Sequence, residues 1–195
     1  MSHYFTNDEG ELETREITAT IFGTEHRFTT ARGVFSASRL DPGTAVLLRT
    51  VPPPSTGRVL DLGCGFGPIA VGLAAASPGI VVDAVDVNEH AVQLTAMNAK
   101  RAGVSGRVTA ATPAAVPADV TYDEIWSNPP IRIGKQALHE LLTTWLPRLT
   151  PTGKAWLVVS RNLGADSLTR WLCEQGFPTT KVASSKGFRV LKTTR

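Results

Sequence analysis

Apolar runs and amphipathic stretches alternate along most of this chain of 195 residues. Short apolar runs bounded by glycine, proline or polar residues predict strands at 58–62, 80–85, 107–111, 122–127 and 155–160. Stretches with apolar residues at helical spacing lie between and after them, at 68–76, 89–102, 137–145 and 165–175. Strands that alternate with helices pack as βαβ units, so the pattern predicts a mostly parallel sheet covered by helices.

The two ends of the chain depart from this alternation. Near the start, β-rich segments at 17–22 and 26–29 flank a Gly-Thr pair and predict a hairpin. Asp41 precedes Pro42 and predicts the capped start of a helix. At the other end, residues 179–183 and 188–192 predict an antiparallel pair. The predicted fold class is α/β, with a seven-stranded, mostly parallel sheet, an antiparallel C-terminal strand and an N-terminal β-hairpin.

We expect one domain over residues 1–195. Its first part, residues 1–57, would hold the hairpin and the helix, and residues 58–195 would form the sheet core. The length suffices for a substantial hydrophobic core, and the sequence shows neither an internal repeat nor a second domain.

A glycine turn follows the first core strand. The strand carries Asp61, and glycines then stand at 63, 65 and 67 before an apolar helix begins. Glycine permits the unusual backbone angles of a tight turn and lets a ligand approach the main chain closely. The second strand ends at Asp86, where a carboxylate can accept both hydroxyl protons of a ribose. Together these features indicate a cofactor that contains adenosine.

The glycine spacing separates two kinds of cofactor. Dinucleotide sites use G-x-G-x-x-G with a pyrophosphate at the helix N-terminus, and an acid such as Asp61 beside the turn would repel that pyrophosphate. S-adenosylmethionine carries a sulfonium, an amino group and no phosphate, and the pattern D-x-G-x-G-x-G is similar to the cofactor loop of Rossmann-like methyltransferases. The predicted cofactor-binding residues are Asp61, Gly63, Cys64, Gly65, Gly67, Asp86, Val87 and Asn128.

A second motif, Asn128-Pro129-Pro130, ends the fourth core strand. Ligands of open α/β sheets bind beyond the carboxyl ends of the strands, so this motif shares an edge with the glycine turn. Prolines stiffen the backbone and supply no N–H, which leaves carbonyl groups free to accept hydrogen bonds. The Asn128 side-chain oxygen and the Pro129 carbonyl together suit both protons of an exocyclic amino group. We therefore predict Asn128, Pro129 and Pro130 as catalytic residues of a nitrogen methyltransferase.

These motifs and their flanks resemble the small-domain methyltransferases typified by the guanine-N2 methyltransferases of small-subunit ribosomal RNA. The resemblance covers nearly the whole chain, through residues 3–5, 33–36, 40–44, 59–69, 86–89, 127–131 and 186–190. It implies transfer of a methyl group from S-adenosylmethionine to an exocyclic nitrogen, most simply guanine N2 in ribosomal RNA.

Two positions depart from the family pattern. Relatives often carry an aromatic residue after Asn-Pro-Pro to stack on the target base, where this chain has Ile131, so Phe35, Phe188 or the Tyr4-Phe5 pair would stack instead. Relatives also carry an acid after the third strand for the adenine amine, where this chain has Thr112-Pro113. The predicted substrate-binding residues are Phe35, Ile131, Arg132, Lys186, Phe188 and Arg189.

The charge distribution is compatible with a polyanionic partner. The formal net charge is +3, and the last fifteen residues hold five basic side chains and no acid. Arg132, Lys135, Lys186 and Arg189 are candidates for phosphate contacts, with a solvated basic surface as the alternative.

Other sequence features bear on the cellular location and on possible partners. There is no membrane-length apolar run, no signal-peptide pattern, no metal-ligand spacing and no disulfide framework, so we expect a cytoplasmic protein without a membrane or metal partner. His139 lies in a predicted helix and is interpreted as a surface residue. The sequence carries no signal for an oligomeric state.

Three alternative functions remain at this point. Adenine N6 or a protein glutamine presents a similar planar amino group to the same chemistry. A cofactor-binding RNA assembly factor without catalysis would share the fold, although the intact Asn-Pro-Pro motif argues against it. A nicotinamide dehydrogenase is disfavoured by the glycine spacing.

Overall fold

The computed structural model describes residues 13–34, 38–130 and 133–195 of the chain. Within these ranges the chain forms nine strands and five α-helices. The strands are β1 (Thr14–Ile21), β2 (Thr24–Ala31), β3 (Thr56–Leu62), β4 (Gly79–Val85), β5 (Val108–Ala111), β6 (Tyr122–Ser127), β7 (Leu149–Ser160), β8 (Thr179–Ser185) and β9 (Phe188–Thr194). The helices are α1 (Pro42–Thr50), α2 (Pro68–Ala76), α3 (Glu89–Arg101), α4 (Lys135–Trp145) and α5 (Ala165–Glu174).

Seven of these strands form one sheet in the order β5-β4-β3-β6-β7-β9-β8, and β1 and β2 form a separate antiparallel pair. Strands β3 to β7 run parallel, and β9 is antiparallel to both β7 and β8. The predicted sheet, its antiparallel C-terminal strand and the N-terminal hairpin are therefore confirmed. The strand order reverses next to β3, and the crevice at such a reversal is the usual ligand position of an open α/β sheet.

Helices cover both faces of the sheet. Apolar side chains of α1, α2, α3 and the hairpin form one buried cluster, and those of α4 and α5 form a second. None of the helices in the described parts of the chain is long and apolar enough to cross a membrane.

Strand β7 begins earlier than the predicted start at Ala155. Leu149 pairs with Tyr122, and pairing resumes between Lys154 and Glu124, so residues 150–153 bulge out of the ladder. The bulge contains Pro151, which has no N–H to donate to the ladder. A segment that the sequence pattern places before the strand is thus an irregular part of it.

The hairpin packs behind the glycine turn. Phe28 of β2 meets Phe66 of the turn edge to face, with ring centroids 5.5 Å apart. Asn98 of α3 is buried, and its amide donates to the carbonyls of Thr29 and Phe66 at 2.8 Å each and accepts from Thr29 N at 2.8 Å. One side chain therefore ties the hairpin, α3 and the turn together.

Candidate functional site

A cleft with a cavity volume of about 370 Å³ opens at the carboxyl ends of β3, β4 and β6. Its lining includes Leu62, Gly63, Gly65, Val85, Asp86, Val87, Asn88, Asn128, Pro130 and Ile133, with further residues from the segment after β2, from Pro113 and from α4. A Cβ atom at Gly63 would lie 3.9 Å from Pro130 Cδ, so the glycine turn and the Asn-Pro-Pro motif face each other across the cleft. The structure therefore brings together the two motifs that the sequence placed at one sheet edge.

The glycine turn is held by hydrogen bonds within the protein. Gly63 N and Cys64 N both donate to the Val85 carbonyl, at 2.8 and 3.1 Å. Gly67 N donates to the Cys64 carbonyl at 2.9 Å. Gly67 has a φ of +89°, and a Cβ atom there would lie 2.9 Å from the Thr95 side chain, so glycine is required on two counts. These main-chain N–H groups bond to protein atoms and are not arranged as a nest for an anion.

Asp86 lies on the cleft wall at the end of β4. Its Oδ2 accepts from Gly65 N at 3.0 Å and its Oδ1 accepts from Asn88 N at 2.9 Å. Burial raises the pKa of Asp86, although hydrogen bonds from backbone N–H groups, including those of Asn88 and Gly65, oppose the rise. Each oxygen retains a lone pair, so the carboxylate is fixed as an acceptor at the cleft edge.

Asp61 lies behind the glycine turn and not on the cleft wall. It is fully buried, and its Oδ2 accepts from Ala70 N in the first turn of α2 at 3.0 Å, while Oδ1 is buried without a partner. Burial, with a smaller contribution from the nearby Asp86 carboxylate, raises the pKa of Asp61 to about 7, although the hydrogen bond from Ala70 N opposes the rise. Its role in cofactor binding stays a prediction. From this position Asp61 would act on the cofactor through the glycine turn and through its negative charge.

The end of β6 positions Asn128. Ser127 Oγ donates to the Leu62 carbonyl at 2.6 Å and joins β6 to β3 at the cleft. The Asn128 side-chain nitrogen donates to Asp41 Oδ1 at 2.7 Å and to Thr44 Oγ1 at 3.0 Å. Pro130 lines the cleft, and Pro129 is buried between them. The sequence predicted Asp41 as the cap of α1, which the structure confirms, but not as a partner of Asn128.

The remaining predicted cofactor residues occupy distinct positions. Val87 lines the cleft with half of its surface exposed. Cys64 is buried beside a small adjoining cavity of about 20 Å³, and burial raises the pKa of its thiol. Gly67 is the N-cap residue of α2.

The cleft has the electrostatic character of a site for a ligand without phosphate. Its described lining contains the acids Asp86 and Glu140 and no lysine, arginine or histidine. A pyrophosphate would meet neither a counter-charge nor a nest of free N–H groups here. A ligand with a sulfonium and ribose hydroxyls fits this donor and acceptor set, so the residues present fit S-adenosylmethionine and not a dinucleotide.

Three of the predicted substrate residues, Lys186, Phe188 and Arg189, lie at the β8–β9 turn and the start of β9, and none of them is in the cleft lining. Lys186 is exposed in the β8–β9 turn, and Phe188 at the start of β9 places its ring against Gly43 of α1. Arg189 is largely buried and forms an ion pair with Asp166 of α5, while its Nε is buried without a partner. Phe35, Ile131 and Arg132 lie outside the described residues. Their contacts with substrate stay predictions.

Sequence reasoning missed one wall of the cleft. Helix α4 contributes Ala137, Glu140, Leu141, Thr144 and Trp145. The apolar spacing over residues 137–145 predicts this helix but gives it no place in the site. A signal was available, because Glu140 and Thr144 interrupt the apolar face one turn apart.

The fold and the cleft define a class of protein: a Rossmann-like methyltransferase with an acidic, phosphate-free cofactor site. Comparison with known families agrees with this class. The family model described as methyltransferase small domain matches residues 25–192. The chain belongs to this family of S-adenosylmethionine-dependent methyltransferases.

Three relatives illustrate the similarity. The uncharacterized protein YbxB of Bacillus subtilis is 33% identical over 168 residues, which cover 85% of this chain and 84% of that protein. Ribosomal RNA small subunit methyltransferase C of Acinetobacter baumannii is 32% identical over 181 residues, covering 89% of this chain and 52% of the relative. The structure of the T. thermophilus 16S rRNA N2 G1207 methyltransferase RsmC, in complex with AdoMet and guanosine, superposes with a TM-score of 0.81 at 25% identity, covering 95% of this chain and 51% of that one. The chain spans about half the length of these ribosomal RNA methyltransferases.

Proposed function

We propose that this protein transfers a methyl group from S-adenosylmethionine to an exocyclic amino group, specifically guanine N2 in small-subunit ribosomal RNA. The observation that carries the proposal is the cleft itself, in which Asn128 and Pro130 line the same space as Gly63, Gly65 and Asp86. A cofactor site and a site for a planar amino group therefore adjoin, as methyl transfer to nitrogen requires.

Different residues of the cleft would bind different parts of the cofactor. Asp86 would accept the ribose hydroxyl protons, and Val87 and Pro113 would flank the adenine from the side of β4 and β5. The turn at Gly63 and Gly65 would lie along the methionine end. Buried Asp61 would contribute negative potential behind it, which favours a cation in the cleft. When bound, S-adenosylmethionine supplies an electrophilic methyl group on a sulfonium.

The chain's own contribution is to orient the acceptor nitrogen. The Asn128 side-chain oxygen and the Pro129 carbonyl would accept the two amine protons and direct the nitrogen lone pair at the methyl group. No strong base is needed, because the nitrogen becomes acidic once it is methylated. Positioning of this kind can lower a barrier by about 7–11 kcal/mol in favourable cases.

The choice of guanine N2 in RNA is supported by the relatives named above and by the position of Lys186. An exposed lysine in the turn beside Phe188 is suited to a phosphate of a structured RNA. A substrate in ribosomal RNA would place the reaction in the cytoplasm.

The test is a transfer assay with radiolabelled S-adenosylmethionine. The acceptors are naked small-subunit ribosomal RNA, assembled small subunits and total protein, followed by digestion and identification of the labelled nucleoside. Asn128→Ala is the test variant, and Asn162→Ala, which changes an exposed asparagine, is the matched control. We expect N2-methylguanosine with the wild type and the control. Asn128→Ala should lower the rate about a hundredfold or more, because it removes one of the two acceptors for the amine protons and the alignment of the nitrogen that both provide.

Other outcomes would redirect the proposal. N6-methyladenosine or labelled glutamine would keep the chemistry and overturn the acceptor. Cofactor binding without label in any arm would overturn the enzymatic proposal in favour of an assembly factor. A weak dependence of RNA binding on salt would argue against phosphate contacts, because neutralised phosphates release counterions and make binding steeply salt-dependent.

A further inference from the structure

The amide group of Asn128 is held from the side of helix α1. Its nitrogen donates one bond to Asp41 Oδ1 at 2.7 Å and one to Thr44 Oγ1 at 3.0 Å. An asparagine amide has two N–H donors and one oxygen acceptor, so both donors have acceptors in the protein. The oxygen is then the atom of Asn128 that is left to meet a ligand in the cleft that the residue lines.

Both partners are themselves fixed. Asp41 caps α1, and the same Oδ1 that meets Asn128 also accepts from Thr44 N at 3.0 Å. Thr44 is buried, with 4% of its surface exposed. The three residues form a closed set of hydrogen bonds across 84 and 87 positions of sequence. A carboxylate in such a set makes the bond charge-assisted and stronger than a neutral one.

We propose that Asp41 and Thr44 are positioning residues that lock the Asn128 amide with its oxygen facing the acceptor, so that the site selects an amino group. The inference rests on the proposed function and extends it to selectivity. A site that presents only acceptors pairs with the two protons of an amine and repels a carbonyl oxygen. Buried polar groups that would be left unpaired give such sites strong discrimination.

The location of α1 supports the assignment. Asp41, Thr44 and Asn128 line the small cavity of about 20 Å³ that adjoins the cleft, together with Gly63 and Gly65 of the turn. The N-terminus of α1 is therefore part of the wall between the cofactor turn and the acceptor position. The segment before the first core strand would thus serve the chemistry and not only the packing of the sheet.

The kinetic test compares two substitutions that keep the shape of the side chain and remove either the Thr44 acceptor or the charge on the Asp41 acceptor. Thr44→Val removes the hydroxyl, and Asp41→Asn removes the charge while keeping a side chain that caps helices well. We expect each to lower kcat about tenfold, Thr44→Val by losing one hydrogen bond and Asp41→Asn by losing the charge that strengthens the other. The KM for RNA and the Kd for S-adenosylmethionine should change less than twofold. Thr44→Ser, which retains the hydroxyl, should restore kcat.

Two substitutions serve as matched controls. Thr50→Val removes a hydroxyl that donates to the Val46 carbonyl at 2.7 Å at the far end of α1. Asp123→Asn alters a carboxylate that accepts from Arg58 N at 2.8 Å outside the cleft lining. Both should leave kcat within twofold of the wild type. Loss of cofactor affinity with unchanged kcat in Thr44→Val would overturn the proposal and assign the residue to the cofactor.

A second measurement tests the hydrogen bonds of the Asn128 amide in the absence of any methyl-accepting substrate. In the ¹⁵N-labelled protein, the side-chain amide of Asn128, assigned by its loss in Asn128→Ala, should exchange slowly with solvent and should exchange at least about tenfold faster in Thr44→Val. Rapid exchange in the wild type overturns the proposal even if the enzyme methylates guanine. Failure of the wild type to label any nucleoside or protein would instead refute the proposed function. Slow exchange of the Asn128 amide would still show that Asp41 and Thr44 hold it.

Discussion

Asn98 offers the sharpest test of how the fold holds the cofactor turn. Replacing it by aspartate keeps the shape and the oxygen that accepts from Thr29 N, but removes the nitrogen that donates to the Thr29 and Phe66 carbonyls. Asn98 is only 1% exposed, so water cannot replace the lost donors. Two buried carbonyls would each lose a partner and face a carboxylate oxygen.

The magnitude follows from the cost of unsatisfied groups. An unsatisfied buried polar group costs about 1–3 kcal/mol, so Asn98→Asp should lower the free energy of unfolding by about 2–6 kcal/mol. A chain of this size loses about 2–4 °C of Tm for each kcal/mol, so the Tm should fall by roughly 10 °C. Because the Phe66 carbonyl belongs to the turn, affinity for S-adenosylmethionine should fall as well.

Urea unfolding followed by circular dichroism measures the change, with Asn162→Asp at an exposed position as the matched control. Lowering the pH should reduce the difference in unfolding free energy between Asn98→Asp and the wild type, because a protonated carboxyl group regains one hydrogen-bond donor. A loss below about 1 kcal/mol would refute the reasoning, since it would mean that the hairpin and the turn do not depend on this amide.

Three further predictions concern the cofactor turn. Burial raises the folded-state pKa of Asp61 from 3.8 to about 7, so its ionisation destabilises the folded state as the pH rises. Between pH 4 and pH 7 the free energy of unfolding of the wild type should therefore fall by up to about 4 kcal/mol more than that of Asp61→Asn. Parallel curves of unfolding free energy against pH for the two proteins would contradict this. Asp86→Asn should weaken binding of S-adenosylmethionine by about tenfold to a hundredfold in calorimetry through loss of charge-assisted hydrogen bonds, and an unchanged Kd would remove Asp86 from the site. Gly67→Ala should destabilise the fold by about 1–3 kcal/mol in thermal unfolding, because its φ is positive and the new Cβ would contact Thr95. Adding Thr95→Ser should recover part of the loss by removing one of the two Thr95 atoms that lie 2.9 Å from the new Cβ, and no recovery would contradict a contribution from that methyl group.

The sequence was sufficient for the sheet and for the edge that carries the site because those features follow from local patterns. Apolar runs and glycine spacing located β3, β4 and the turn between β3 and α2, and the cap at Asp41 is as predicted. The chain order of strands and helices then fixed which strand ends share an edge, since parallel strands have their carboxyl ends on one side.

The side-chain hydrogen bonds that the sequence did not predict join residues that are distant in sequence. Asn98 reaches Thr29 across 69 positions, and Asn128 reaches Asp41 across 87, and neither pair has a periodic signature. The place of Asp61 beside the turn predicts a role at the cofactor, which stays a prediction. The hydrogen bond from Ala70 N to its Oδ2 was not predicted; it forms because the first turn of a helix has N–H groups that need acceptors. Local sequence shows that a polar side chain is present, but only the packed fold decides which partner it meets.

The most direct test of the central claim is the methylation state of ribosomal RNA in cells. Small-subunit RNA from cells with and without the gene for this chain would be digested, and N2-methylguanosine would be counted per RNA molecule by mass spectrometry. Our account predicts the loss of one N2-methylguanosine per RNA without the gene, its return with the wild type, and no return with Asn128→Ala. An unchanged count of N2-methylguanosine, together with the loss of another methylated residue, would contradict guanine N2 as the acceptor.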